Sequence, residues 1–372
     1  MSLLVEKTCG LLKKMYDAEE GVFSATSSLV SGKFVNDFTN LAQVMRYTIN
    51  SLYGAQTSVL HGEGDWDILL MTNRFLDRQL ANVVNPGDKG LLLAHLARLG
   101  HARASALQAD IKNIANSPKA LGNLVIQELA WLLYGVTKYS AMTGSADDSA
   151  KVAETLYRQM IRNYMDKDSL LPIHTTRGLR KSVVGFGGIV YYLMALSEYE
   201  RVFKDEYARQ VFLNATRRII SLQGDDGSWP WFYHVHSARV VDRYEVYSVH
   251  QASMAMLFLF PAIDTGVSEA RQSVERSVSW MFGNNELGEV MIKDDPFFTY
   301  RSIRRRKGGG RALRLARGLW NGLTDGDASK PAPRSHLELN PECRSYELGW
   351  ILHVWPGRKD FPAFTSLADL TQ

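Results

Sequence analysis

Cysteine is almost missing from this chain. Cys9 and Cys343 stand at opposite ends, with no CxxC pair, which excludes a disulfide framework and a cysteine zinc site and points to a reducing compartment. Long apolar runs are also missing. About 18 uncharged apolar residues are needed to span a bilayer, and no stretch reaches that. The first residues, "MSLLVEKTCGLLKKMYD", are broken by Glu6, Lys7, Lys13 and Lys14 and read as an amphipathic helix, not a signal peptide. The expected location is therefore cytoplasmic. Charge of one sign is scarce, since the net charge is +4, and that does not argue for nucleic acid. Alternating strand patterns are few, with short candidates at Gly21 to Ser24, Ser237 to Val241 and Val290 to Ile292.

What is present is helical periodicity in a chain of 372 residues, 45% hydrophobic and 22% charged. Apolar residues recur at helical spacing over Leu41–Tyr53, Trp66–Val83, Leu91–Leu99, Leu121–Tyr139, Ser149–Tyr164, Val183–Val202, Tyr207–Leu222, Val246–Phe260 and Ser268–Phe282. An internal echo accompanies them. "MYDAEEGVFSAT" from Met15, "YMDKDSLLPIHT" from Tyr164 and "LQGDDGSWPWFY" from Leu222 each end a helix, turn through acidic or glycine residues, and leave in an extended segment. "IKDDPFFTYRS" from Ile292 is a degenerate fourth copy. Repeated helical hairpins cannot bury their apolar faces alone and must stack or close. The expectation is an all-α, single-domain α/α toroid of about five to six helical hairpins over residues 1–372, with a basic, mobile insertion near 301–333. An open solenoid is the competing architecture.

"RIISLQGDDGSWPW" resembles the Q-and-W turn of terpenoid-cyclase and prenyltransferase-like toroids, with Gln223, Gly227 and Trp229 at the matching positions. The resemblance implies local roles: Gln223 bonding the turn backbone, Gly227 at positive φ, and Trp229 packed between hairpins. The same turn occurs in carbohydrate-active toroids. "MYDAEEGVFS", "MRYTINSLYG", "RYEVYSVHQASMAM" and "ECRSYELGWILH" together are similar to uncharacterised bacterial toroid proteins associated with polysaccharide biosynthesis. That similarity implies a carbohydrate context and carries no activity.

The stretch from Gln223 to Gln251, "QGDDGSWPWFYHVHSARVVDRYEVYSVHQ", is the densest in chemistry. His234, His236, Tyr247, His250, Glu245 and Asp242 are acid/base candidates. Tyr233, Arg239, Arg243, Tyr244, Gln251, Trp229 and Trp231 are candidates for holding substrate. Proton abstraction next to a uronate carboxylate needs a base, an acid and a cation or amide to neutralise the developing charge, and this set supplies all three. A helix starting near Asp242 would give Asp242 and Glu245 an alternative role as a capping box, and would put Arg243, Tyr247 and His250 or Gln251 on one face. Arg46 and Tyr47 on an apolar helix, and His174, Arg177, Arg180 and Lys181 before another, are further candidates for carboxylate or phosphate contact. "CRSYELGW", with Glu342, Arg344, Tyr346 and Glu347 opening the last helix, is a further lining candidate beside its packing role.

The expected function is an enzyme acting on an anionic or uronate-containing glycan by lyase or epimerase chemistry, with no cofactor and no metal. Glycoside hydrolysis would need a second carboxylate, for which Glu63, Asp65 and Asp67 of "GEGDWD" are available although they suit a helix start. A terpenoid-cyclase activity would need an Asp-rich acid motif, and "SADDSA" offers Asp147 and Asp148 with Ser145 in the leading position. A glycan- or partner-binding scaffold is the non-enzymatic alternative. The run Arg301 to Arg317, "RSIRRRKGGGRALRLAR", carries eight basic residues and no acid, and suits a polyanion or an acidic membrane surface, which would make the protein membrane-peripheral.

Overall fold

In the computed structural model the described residues are 2–144, 148–178, 181–306, 320 and 328–368. Helices alternate between an outer and an inner layer. The outer helices are α1 (Leu3–Lys14), α3 (Ile68–Gln79), α5 (Ala104–Ala115), α8 (Asp148–Asn163), α10 (Glu206–Ile220) and α12 (Ser268–Met281). The inner helices are α2 (Leu41–Leu60), α4 (Pro86–Leu99), α7 (Ile126–Thr143), α9 (Phe186–Phe203), α11 (Met256–Asp264) and α13 (Ser345–Val354). A short α6 (Pro118–Asn123) precedes α7. Each inner helix packs on the next. α13 packs against α2 and against the turn that leads into α11, so the ring closes. The fold is the α/α toroid, with six inner and six outer helices among the described residues. No described helix is long and apolar enough to cross a membrane.

Composition separates the layers. Outer α8 buries the stripe Val152, Ala153, Leu156, Tyr157 and Met160, with Ser149 at its start, and exposes its opposite face. Inner α2 is buried almost continuously from Val44 to Ser58, including Thr48, Asn50, Ser51 and Gln56. Where inner helices touch most closely the contact is glycine on glycine. A Cβ on Gly54 would stand 1.9 Å from the Gly349 carbonyl oxygen, and one on Gly135 would stand 1.9 Å from that of Gly90. Helix α5 is absent from the sequence expectation because its buried stripe, Ala104, Leu107, Gln108, Ile111 and Ala115, holds little large apolar surface.

The echoed segments are the crossovers from an outer to an inner helix. The first closes with Ser24 N–H donating to Met15 O (2.9 Å), and the second with Ile173 N–H donating to Tyr164 O (2.8 Å). The fourth such closure, Met291 N–H to Met281 O (2.8 Å), lies just before Ile292, so the repeat is displaced from "IKDDPFFTYRS", which forms a hairpin of β9 (Ile292–Asp294) and β10 (Phe297–Thr299). In the third crossover Gln223 Nε2 donates to Gly227 O (2.9 Å), Gly227 has φ +85°, and Trp229 Nε1 donates to Ser277 Oγ on α12 (2.9 Å).

The crossovers carry more strand than the sequence suggested, because they lie over the inner-helix N-termini and pair with one another there. Besides β1 (Tyr16–Asp17) with β2 (Val22–Phe23), three sheets of three strands form. β5 (Val183–Gly185), β6 (Phe232–His234) and β7 (Arg239–Asp242) make one. β8 (Val246–Tyr247) pairs with β11 (Ser302–Arg305), which pairs with β12 (Leu337–Asn340). β3 (Thr26–Val30) lies between β4 (Lys33–Asp37) and β13 (Glu342–Arg344). Two expectations are corrected here. The helix expected from Val246 begins only after Tyr247, which ends β8, so Asp242 and Glu245 form no capping box and Arg243 shares no helical face with Tyr247 and His250. The basic run also begins as β11, while residues 307–319 lie outside the described residues.

Candidate active site

The N-terminal ends of the inner helices surround a cavity of about 930 Å³. α2 contributes Arg46, Tyr47 and Asn50, α7 contributes Trp131, and α9 contributes Phe186 and Tyr191. The crossovers add Trp231, Tyr244, Glu245, Tyr247, Arg301, Arg344 and His174, and His250 and Tyr346 come from the starts of the last two inner segments.

A chain of rings joins the Trp229 turn to the cavity wall. Trp229 stacks on Phe186 (4.9 Å between centroids), Phe186 meets His250 (4.8 Å), His250 stacks on Trp231 (5.8 Å), and Trp231 meets Tyr247 (4.3 Å). The Arg301 guanidinium then lies 5.3 Å from the Tyr247 ring centroid. His250 sits in a widened turn whose Ala255 N–H reaches back to the His250 carbonyl (3.2 Å). Burial pushes its imidazole down to about 3, so it is neutral at physiological pH.

Charge is concentrated on one side. Arg301 Nη1 and Arg344 Nη2 donate to the same oxygen, Glu342 Oε2, at 2.6 and 3.4 Å. Burial alone would raise Glu342, but Arg301 and Arg344 outweigh it and hold the carboxyl below its ordinary value. Arg344 also donates to Tyr47 OH (2.7 Å), whose ring stacks on Tyr346 (4.5 Å). Arg46 is held by Asp88 (2.7 Å) and lies over Trp131 (5.6 Å). Behind them Glu347 is fully buried, and burial raises its carboxyl well above the ordinary range. Glu245 faces the cavity and accepts from Ser302 Oγ (2.8 Å).

Several buried polar atoms around this wall have no hydrogen-bond partner within the described protein. Trp131 Nε1, Arg301 Nε and Arg344 Nε are such donors, Asn50 Oδ1 and Glu347 Oε1 are such acceptors, and His250 Nδ1 is a further one. Buried groups of this kind are costly unless something bonds them, so their clustering marks a surface built to hold a polar molecule.

Of the residues singled out in the sequence, the structure brings Arg46, Tyr47, His174, Trp231, Tyr244, Glu245, Tyr247, His250, Arg344 and Tyr346 to the cavity. It places the others elsewhere. His234 bonds Ser237 Oγ (2.9 Å) at the tip of the β6–β7 hairpin, and His236 bonds Asp166 Oδ2 (2.5 Å), both apart from the cavity lining. Arg239 is exposed on β7 and Arg177 is exposed before α9. Tyr233, Gln251 and Trp229 are buried in the core. Arg243 is buried against Asp226 and Glu286 (2.9 Å to Glu286), a site that draws the guanidinium away from the cavity. Asp242 ends β7 beside Arg305 (3.4 Å). Asp148 opens outer helix α8 and pairs with Lys112, while Asp147 and Arg180 lie outside the described residues. Glu63 bonds the Ser2 and Gly357 backbones, Asp65 pairs with Lys13, and Asp67 caps α3. Among the described residues no group of three or more His, Cys, Asp or Glu could hold a metal ion.

Sequence reasoning did not single out Trp131, Tyr191 or Arg301 as site residues. The first two sit on apolar helices and read as core. Arg301 merged into the basic run that follows it.

No family model matches the chain, and no curated protein matches it. Solved structures do. A sugar epimerase from a ruminal bacterium superposes with a TM-score of 0.62 at 11% identity, over 95% of this chain and 98% of that one. The unsaturated glucuronyl hydrolase of Bacillus sp. GL1, responsible for the degradation of glycosaminoglycan, gives 0.55 at 14% identity, over 96% and 95%. An inactive variant of an alpha-1,6-mannanase of Salegentibacter sp. HEL1_6, in complex with alpha-1,6-mannotriose, gives 0.60 at 10% identity, over 95% and 97%. At these identities the likeness is one of fold: the chain has the α/α-toroid architecture that these proteins share.

Proposed function

We propose that the protein is an enzyme acting on an anionic, uronate-containing saccharide by general acid–base chemistry of the lyase or epimerase type. The observation that carries this reading is the convergence, in one aromatic-walled cavity, of Arg301 and Arg344 with unpartnered buried N–H groups beside Tyr247 and Glu245. A uronate carboxylate accepts from the two guanidinium groups, which are tied together through Glu342. One of Tyr247 and Glu245 removes the proton on the carbon next to that carboxylate, and negative charge moves onto the carboxylate oxygens facing the arginines. In a lyase the electron pair expels the neighbouring C–O oxygen, which takes a proton from the second group. In an epimerase the second group instead delivers a proton to the opposite face of that carbon. Trp131, Trp231 and Tyr191 supply flat apolar surface for sugar rings.

The fold neighbours support a saccharide substrate, since they include a sugar epimerase, a glucuronyl hydrolase and a mannanase. Hydrolysis with two flanking carboxylates is less well supported, because Glu245 is the one carboxylate in the cavity lining among the described residues. A prenyl substrate is opposed by the arginines. A pure binding scaffold is opposed by the meeting of candidate acid, base and anion holder. The test is turnover of uronate-containing oligosaccharides against the same saccharides with their carboxyl groups reduced to alcohols. Turnover confined to the uronates is expected, and equal turnover of both forms, or none of either, contradicts the reading.

A further inference from the structure

The β3–β4 hairpin stands on the cavity rim, joined to it through β13, which carries Glu342 and Arg344. β4 is the last strand of its sheet, so its outer edge pairs with no strand among the described residues. The loop Ser31–Gly32 has two residues, both at positive φ (49° and 77°), and it closes on the pair Val30–Lys33. Antiparallel pairs alternate between bonded and non-bonded, so Lys33, Val35 and Asp37 direct their backbone groups to β3, and Phe34 and Asn36 direct theirs outward. Neither Phe34 nor Asn36 makes a backbone hydrogen bond outside the hairpin among the described residues.

The two faces of β4 differ. Phe34 turns inward, stacked on Phe298 (6.3 Å) with Lys14 over its ring. Lys33, Val35 and Asp37 share the outer face, with Val35 53% exposed and its diagonal neighbour Val30 55% exposed. Phe38 and Leu41, just beyond in the chain, are exposed too. An unprotected edge of this kind is a template for another strand.

The sequence of β4, Lys-Phe-Val-Asn-Asp, says which strand fits. Laid antiparallel on a second copy of itself and centred on Val35, it sets Lys33 of each copy opposite Asp37 of the other and Val35 opposite Val35. Phe34 and Asn36 then face each other as the hydrogen-bonded pairs, which is the phase their outward backbone groups require. Opposite charges and β-branched residues directly across a pair of strands are both favourable, and like charges there are not. We propose that β4 is the pairing edge of a two-fold homodimer, in which the strand order runs β13-β3-β4 and then β4-β3-β13 of the second copy. The dimer sheet braces β13, and with it the Arg344 side of the cavity, from both copies.

The proposal is tested on the full chain by light scattering after size exclusion, over a range of concentrations, with far-ultraviolet circular dichroism as the check on folding. The wild type is expected at twice the chain mass. K33D sets Asp opposite Asp37 and D37K sets Lys opposite Lys33, so each variant alone is expected to run as a monomer with an unchanged helical spectrum. An equimolar mixture of K33D and D37K restores both opposite-charge pairs and is expected to return to the dimer mass, as is the double variant K33D/D37K. A wild type that stays at the monomer mass overturns the proposal. So does a dimer that survives both single changes, or single-variant monomers that fail to recover on mixing.

Discussion

The Arg301 guanidinium lies 5.3 Å from the centre of the Tyr247 ring, on two neighbouring segments that the β8–β11 pairing holds together. That pairing puts a fixed cation next to a phenol on a cavity wall, with Ser302 of β11 donating to Glu245 just before β8. If Tyr247 moves a proton in the reaction, Tyr247→Phe should lower kcat by about 10²- to 10⁴-fold, the usual contribution of a general acid or base. Its melting temperature should stay close to that of the wild type, because the ring contacts with Trp231 and Arg301 survive. Steady-state kinetics with a thermal melt on the same preparation checks both.

Arg301 and Arg344 are expected to separate by kinetic signature from residues that only support the wall. Arg344→Gln removes a charge-assisted contact to the substrate carboxylate and should weaken saccharide binding by roughly 1.5–3 kcal/mol, or about 10- to 150-fold in Kd. The loss should be absent for the carboxyl-reduced saccharide. Calorimetric titration of both ligands against both proteins makes the comparison.

Arg243 should behave differently. It is 2% exposed and its partner Glu286 is equally buried. Arg243→Met strands that carboxylate and is expected to cost about 3–5 kcal/mol of stability. Chemical denaturation measures this, and a variant of full stability with a selective rise in KM would instead place Arg243 at the substrate.

The ring of inner helices should not tolerate a methyl group at its closest approach. Gly54→Ala drives a Cβ into the Gly349 carbonyl, and α2 and α13 must move apart. A loss of about 1–3 kcal/mol or more is expected. Gly10→Ala on α1, where the added carbon meets no atom within 4 Å, should be neutral or slightly stabilising. Melting temperatures of the pair check the contrast.

Acid should destabilise the protein partly through two histidines. Burial lowers both His95 and His250 to about 3. In the unfolded chain they take up a proton near pH 6.5 that the folded protein refuses, so their contribution is whole above that pH and is lost as pH falls toward 3. Each adds a slope of about 1.4 kcal/mol per pH unit inside that window. His250→Gln should flatten the fall in the denaturation midpoint between pH 6 and pH 4, relative to wild type.

The fold was legible because helical periodicity and the turn around Trp229 are local. Gln223, Gly227 and Trp229 occupy the bonding, positive-φ and packing positions expected of them. The cavity was half legible. Tyr247, Glu245, His250 and Trp231 sit in one polar, aromatic stretch, and their density was the signal. Their neighbours Arg243 and His236 carry the same chemistry in sequence, but Glu286 and Asp166 claim them from elsewhere in the chain, 43 and 70 residues away. Trp131 and Tyr191 face the cavity from helices whose apolar character reads as core, since an inner helix of a toroid is buried on every side but one end. Helix α11 starts late because β8 finds β11 as a partner, a pairing across more than fifty residues that no local pattern announces.

The most direct test of the central claim is the fate of the proton beside the uronate carboxylate. A uronate-containing oligosaccharide incubated with the enzyme in deuterated water is followed by proton NMR. Acid–base chemistry at that carbon is expected to give an unsaturated product, or an inverted centre carrying solvent deuterium, and both should disappear in Tyr247→Phe. Cleavage that leaves the original proton in place, with a new reducing end, would contradict it.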